Sequence, residues 1–458
     1  MHVLRRRSKR LFWQVREPCL TVVFSLLSRL HRETLLFYVI MSADSSSKIV
    51  SERRPASSPE SPFRAPAFRR YWTMQLCAIF ASQMQGVAIG WQVYEMTQQP
   101  LALGFVGLAQ FLPVVALALV AGQVADRYDR RRVLVGCLLL EVLCALLLLT
   151  LTVLGNTDPV WIYGVLVLAG VARAFEFPAA AALLPNLLPT QQFASAAALT
   201  SSARQSAAII GPAIGGLLYA IGPSFVYGAC VLLLLIAVAR ANLIHLERVT
   251  AGSKAVSWTS VVAGVKFIRS QPIVLGAISL DLFAVLLGGA TALLPIYARD
   301  IIQVGPWGLG LLRSSPAIGA LGMAAFLAHQ PMRSRLGHVL FVVVGTFGVA
   351  TIGFALSHNL WLSMAMLIVL GASDMVSVVI RRIVVQVSTP DEMRGRVSAV
   401  ESVFIGASNE LGEFESGVTA AWFGVVPAAV LGGVGTLAVV VFWSWLFPQL
   451  RQMDTLEG

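Results

Sequence analysis

Eight acidic residues, Glu141, Glu176, Asp281, Asp374, Glu401, Glu410, Glu413 and Glu415, and four arginines, Arg173, Arg204, Arg381 and Arg382, stand inside long apolar stretches of this sequence. An ionised side chain in hydrocarbon is costly unless it is paired, neutralised or wetted, so each marks a functional position. A carboxyl group that takes up and gives back a proton at such depth is a route to proton coupling. Glu410 and Glu413, three apart and on one helix face, are the first proton- or cation-handling candidates, with an interhelical acid cluster as the alternative; Glu415 points elsewhere. Asp281, Glu141 and Glu176 follow. Glu401 lies near a helix end within reach of Arg394 or Arg396, as in a structural salt bridge. Arg173 and Glu176 can neutralise each other along one helix, while Arg173, Asp374 and Arg204 are candidates for an interdomain charge pair or gate.

The elements that must hold these groups are helices in a membrane. The 458 residues are 12% charged and 57% hydrophobic, with a mean hydropathy of +0.76, against roughly one-quarter charged in soluble domains. A soluble globular protein is excluded. At roughly 20 apolar residues per crossing, the pattern predicts twelve transmembrane helices, over 72–95, 103–125, 133–154, 160–184, 193–220, 224–243, 273–297, 308–327, 339–356, 360–383, 397–423 and 426–447. The fold class is all-α. Glu410, Glu413 and Glu415 make the eleventh of these the least favourable to insert, and its likeness to the fifth is the argument that it crosses.

The net charge of +11 is topological rather than a sign of nucleic-acid binding. Basic residues gather before Trp72 and in the breaks after even-numbered helices, where Arg127, Arg130, Arg131, Arg132, Arg248, Lys254, Arg333, Arg335, Arg394 and Arg396 stand. Breaks after odd-numbered helices hold little beyond Arg299 and, marginally, Arg313. By the positive-inside rule both termini are cytoplasmic, in a cell (inner) membrane. Of five cysteines, Cys77, Cys137, Cys144 and Cys230 fall in apolar runs and Cys19 stands alone, so neither a disulfide nor a metal site is expected. No cofactor is expected either.

Residues 1–70 read as a cytoplasmic tail, without a convincing signal peptide. Met41 opens a hydrophilic N-terminus of its own, so translation is expected to start there, with residues 1–40 a gene-model extension. The polar connection 244–272 divides a bundle over 71–243 from another over 273–447, ahead of a tail over 448–458. The halves read as a parallel repeat. At an offset of 201 residues Gly170 meets Gly371, Pro189 meets Pro390, Gly211 meets Gly412, Gly216 meets Gly417 and Arg173 meets Asp374.

Between the second and third helices, Gly122, Asp126, Arg127 and the basic run Arg130, Arg131 and Arg132 resemble the signature loop of the major facilitator superfamily. That resemblance implies two pseudo-symmetric six-helix bundles, with this loop as a cytoplasmic gate. The equivalent loop of the second half, around Arg333, Arg335 and Gly337, keeps bases and loses the acid. In the fifth helix, Gly211, Pro212, Gly215 and Gly216 resemble a motif of facilitator exporters that work by proton antiport; paired glycines permit close helix contact and the proline a kink. The runs 391–401 and 408–417 resemble the branch containing the enterobactin exporter. Membership implies efflux of a siderophore or drug-like molecule, with cavity walls largely from helices one, four, seven and ten. Gln83, Gln85, Gln92 and Phe175 are the cavity candidates.

No phosphate-binding loop for ATP is present, and no catalytic constellation is visible. The expected activity is therefore not enzymatic: it is secondary-active export of a small organic molecule against protons, by a monomer in the lipid bilayer. A lysolipid or lipid flippase of the same fold is the alternative. A non-transporting membrane sensor or scaffold is a third reading, for which residues 1–70 would have to supply the docking region.

Overall fold

The computed structural model describes residues 61–155, 158–245, 258–330, 332 and 335–453. The expected start at Met41 and most of the tail lie outside the described residues. Twelve long helices follow in order: α1 Pro66–Thr97, α2 Pro100–Arg127, α3 Arg130–Val153, α4 Pro159–Leu183, α5 Phe193–Ile221, α6 Pro223–Asn242, α7 Pro272–Leu287, α8 Gly305–His329, α9 Leu336–Ala355, α10 Leu360–Ser388, α11 Asp391–Phe423 and α12 Val425–Leu446. The described residues form no strand. Local chemistry sets many starts. Proline occupies the first turn of α1, α2, α4, α6, α7 and α8, where its missing N–H costs nothing. Asp129, Asp158 and Asn359 cap α3, α4 and α10 with side-chain oxygens, satisfying amides that lack helical partners.

Nine helices among the described residues are long and apolar enough to cross a membrane. The chain is a multi-pass, all-α membrane protein. α1, α5 and α11 are 32, 29 and 33 residues long but more polar, and fall outside that set. All three pack against several other helices.

Three boundaries differ from the sequence reading by six residues or more; α1, expected from 72, starts at Pro66. The segment expected as one helix over 273–297 ends at Leu287 and continues as a 3-10 turn at Ala290–Leu293, a single α-turn and a π-turn at Tyr297–Ile301. Gly288 and Gly289 supply the break, since glycine weakens a helix interior, and both are pressed against neighbours: Phe347 and Thr436 at Gly288, the Gly412 backbone at Gly289. α11 starts six residues earlier than expected. Asp391 and Glu392 occupy its first turn, where acids suit the helix dipole; hydropathy alone reads such a charged turn as a loop. The connection also contains a helix, Trp258–Ser270. Its Ile268 packs with Val274, Ile278, Val385, Val397 and Val400.

Packing repeats with an offset of six helices. α1 lies against α5 and α6, α4 against α2 and α3, and α3 against α6; likewise α7 lies against α11 and α12, α10 against α8 and α9, and α9 against α12. Contact between the two sets runs mainly through α5 with α8 and α2 with α11. Glycines 201 residues apart make matching contacts. Gly170 abuts Gln110 and Pro113 of α2, and Gly371 abuts Pro316 of α8; Gly211 abuts Gln83 of α1, and Gly412 abuts Val285 and Leu286 of α7. Gly216 meets Pro306 and Gly310 of α8 as Gly417 meets Pro100 and Gly104 of α2. A side chain at either of the last two positions would collide with backbone. These contacts close one end of the interior. Towards the other end Gly122, Gly322 and Gly406 have no neighbouring atom within 4 Å of a β-carbon position, and Phe193, Phe326 and Val403 are exposed, so the close glycine contacts do not extend to the end that carries the basic loops.

Candidate functional site

Glu410 and Glu413 project from α11 towards α2, where Gly107 leaves them room. A β-carbon at Gly107 would lie 3.0 Å from Glu413 Oε2 and 3.3 Å from Glu410 Oε2. Two arginines, one from each set of helices, stand within electrostatic reach of both acids: Arg173 of α4 and Arg313 of α8. Arg173 donates to Gln110 Oε1 at 2.6 Å and to Ser82 Oγ at 2.9 Å. Arg313 reaches α1, donating to the Gly86 carbonyl at 3.2 Å. Both guanidinium groups are thus held by neutral acceptors while facing the carboxylates. With both acids ionised the four groups sum to zero, and each bound proton leaves one positive charge.

Arg173 also serves a second acid pair. Glu141 of α3 and Glu176 of α4 stand within electrostatic reach of each other, with Arg173 in reach of both and Arg204 in reach of Glu176. A cavity of about 20 Å³, lined by Gln85, Gly86, Gln110, Cys144 and Arg173 among others, has room for one water molecule next to this arginine.

Asp281 lies elsewhere. It pairs with Arg381 of α10 and accepts from Ser377 Oγ at 3.2 Å. Arg381 also donates through Nε to Glu401 of α11 at 3.1 Å, and Asp374 is within reach of Asp281 and Arg381. Arg381 is 2% exposed, so this triad ties α7, α10 and α11 together without solvent. Two expectations are corrected here. Glu401 pairs with Arg381 of a neighbouring helix, and Arg394 instead holds Asp391 at 2.7 Å. Arg173 makes no ion pair with Asp374 and is bonded to Gln110 and Ser82 instead; the acids of the other set within its electrostatic reach are Glu410 and Glu413.

In the basic loop, Asp129 accepts from the Arg131 amide at 3.0 Å. Arg130 donates to the Ala182 carbonyl at 3.1 Å and Arg131 to that of Asn242. Arg70 donates to the Leu243 carbonyl at 2.6 Å. These bases cap the last turns of α4 and α6, where free carbonyls and the helix dipole favour cations. Arg127 and Arg132 are exposed, Gly122 faces open space, and the Asp126 side chain lies outside the described part. In α5, Gly211 and Gly215 admit Gln83 and Met84 of α1, Gly216 admits α8, and the Pro212 carbonyl abuts Gly310.

The cavity candidates divide. Gln85 lines the small cavity beside Arg173, and Phe175 is half-buried on α4. Gln83 is taken up in packing against Gly211. Gln92 sits towards the closed end, accepting from Tyr227 at 2.6 Å and donating to Thr152 at 3.0 Å. Arg313, Gln110, Ser82 and Gly107 were not among the sequence candidates. Arg313 could have been: it lies about 12 Å into α8 at 1.5 Å per residue, and the rule applied to the other buried charges fits it equally.

Comparison with known proteins agrees with this architecture. Residues 57–457 match the family model described as transmembrane secretion effector, a major facilitator family. The chain is 27% identical to the multidrug efflux pump Tap of Mycolicibacterium fortuitum over 389 residues, covering 80% of this chain and 92% of that one. It is 26% identical to the enterobactin exporter EntS of Shigella boydii over 414 residues, covering 84% and 93%. A macrolide efflux protein of Streptococcus pyogenes is 29% identical over 155 residues, a stretch covering 34% of this chain and only 38% of that relative. Among solved structures, the nucleoside transporter NupG superposes with a TM-score of 0.63 at 13% identity over 83% of this chain, and a bacterial homologue of the lysosomal transporter Spinster with 0.61 at 13% over 86%. With the family model spanning nearly its whole length, the chain belongs to the transmembrane secretion effector family of major facilitator transporters.

Proposed function

We propose that this protein is a twelve-span exporter of the cell (inner) membrane that moves a small amphipathic organic molecule outward in exchange for protons, working as a monomer with both termini in the cytoplasm. The observation that carries the reading is that Glu410 and Glu413 lie against Gly107 of the other set, with Arg173 and Arg313, one from each set, within electrostatic reach of both acids. Efflux is supported by relatives that are themselves macrolide, multidrug and enterobactin exporters. The positive-inside rule makes the end with the basic loops cytoplasmic, which is the side from which an exporter loads.

In this reading residues 71–243 and 273–447 are the two rocking bundles, joined by 244–272, with tails over 1–70 and 448–458. Alternating access separates the glycine contacts at the closed end and brings the basic ends together. Proton binding at Glu410 and Glu413 leaves Arg173 and Arg313 in excess. A cationic or hydrogen-bonding cargo held by the ionised acids is then displaced, and proton release restores the neutral cluster.

The test is transport in proteoliposomes with an imposed pH gradient, offering a catecholate siderophore and a lipophilic cation. Uphill movement of either cargo by the wild type is expected, with Glu410→Gln or Glu413→Gln abolishing it and weakening cargo binding. Normal transport with unchanged pH dependence in both variants would overturn the coupling role.

A further inference from the structure

A second cavity, of about 400 Å³, lies at the closed end and is separate from the central charges. Gln92, Glu95 and Met96 of α1, Thr152 of α3, Tyr219 of α5 and Pro223 of α6 line it. Glu95 is nine residues along α1 from Gly86, where Arg313 docks, a separation of about 14 Å by helical rise. The volume is in the range of small-molecule sites, roughly 300–1,000 Å³.

Its walls are fixed and carry one sign of charge. Gln92 is clamped by Tyr227 and Thr152. Tyr219 donates to Glu95 Oε2 at 3.2 Å, which holds the carboxylate at the rim, and Trp91 packs on Tyr219 with ring centroids 6.4 Å apart. Glu95 is exposed and makes no ion pair among the described residues. The cation that reaches this end, Arg299, lies 5.8 Å over the Tyr94 ring and is followed by Asp300, which accepts from Tyr94. Glu95, Arg299 and Asp300 together leave one negative charge. The cavity therefore offers a carboxylate above an aromatic, thioether and proline surface, a combination that suits a cation with an apolar body.

We propose that this cavity is a second ligand site, for organic cations, reached from the outer face while the central pathway is closed. Its outward orientation rests on the topology of the proposed exporter; the site itself does not. A cation leaving the central acids would meet Glu95 next, and an external cation would occupy the same place.

The probe is tetraphenylphosphonium, measured by equilibrium binding to the purified, solubilised protein, which has no sides. Glu95→Gln is expected to weaken one class of binding about fivefold, the scale of a partly exposed charge pair, and Glu95→Asp to restore most of it. Glu413→Gln is expected to leave that class intact. Unchanged binding in a folded Glu95→Gln protein, judged by an unaltered melting temperature, would overturn the site. Sidedness is read separately from a Met96→Cys variant in intact cells. Labelling by a membrane-impermeant maleimide, with protection by tetraphenylphosphonium that Glu95→Gln removes, supports both readings. Labelling confined to inverted vesicles would overturn the outward orientation.

Discussion

α5 and α11 occupy matching places 201 residues apart and make matching contacts, yet only α11 carries acids where it meets the other set. Gly211 and Gly412 admit the first helix of their own set, and Gly216 and Gly417 admit a helix of the other set. Beside these shared points α5 carries Pro212 where α11 carries Glu413, and Ile209 where α11 carries Glu410. The difference extends to the partner helices. α2 presents Gly107 to the acids, whereas α8 carries Arg313, which turns away from α5 to a carbonyl of α1. Close approach of helices and the chemistry between them are thus separable. Both copies keep the approach, and only one interface carries acids.

The largest effect that would test this division comes from the ion triad, which only the second set possesses. Arg381→Ala leaves Asp281 and Glu401 buried without their cation and is expected to cost about 3–5 kcal/mol, seen as a large fall in melting temperature in detergent. Next, Gly216→Leu and Gly417→Leu each place a side chain against backbone, an overpacking cost of about 1–3 kcal/mol. The two are expected to destabilise the closed end equally, measured as increased labelling of cysteines placed along it; a clear inequality would break the equivalence of α5 and α11. A smaller change, Gly107→Ala, sets a methyl group about where the Glu413 and Glu410 oxygens crowd. It is expected to reduce pH-driven transport several-fold with little loss of stability, sharpening the assignment of chemistry to this interface. Arg394→Ala breaks an exposed pair with Asp391 and is expected to change stability by less than about 0.5 kcal/mol.

Most helices were legible in the sequence because hydropathy reports partition into a slab of hydrocarbon, a local property. α11 is the instructive exception. Its acids depress hydropathy, and the glycine register shared with α5 identified the helix where apolarity did not. Close helix approach at Gly211, Gly215 and Gly216 was also legible, from the glycines themselves. Charge partners were not legible. Arg173 and Asp374 occupy equivalent repeat positions, which suggested a pair, but equivalence by rotation places residues alike within their own halves and does not bring them together. Glu401 was assigned to bases near in sequence, whereas burial favoured Arg381 from the adjacent helix. Arg313 was obscured by its closeness to a helix end.

The basic loop has a kinetic consequence. Its bonds to Ala182 and Asn242, like that of Arg70 in α1 to Leu243, all stay within the first set of helices. None has to break when the sets move against each other, so they stiffen one moving body without adding to the barrier. Among the described residues the hydrogen bonds between sets are instead Tyr94 with Asp300, Arg313 with Gly86 and Gln205 with Ala317, supplemented by the attraction of Arg173 for Glu410 and Glu413 and by short-range dispersion at the glycine contacts. Turnover in the proposed cycle is then paced by how fast the glycine-lined end lets go. Substitutions in the loop that preserve the helix caps would shift which state is populated more than the speed of leaving the one seen here.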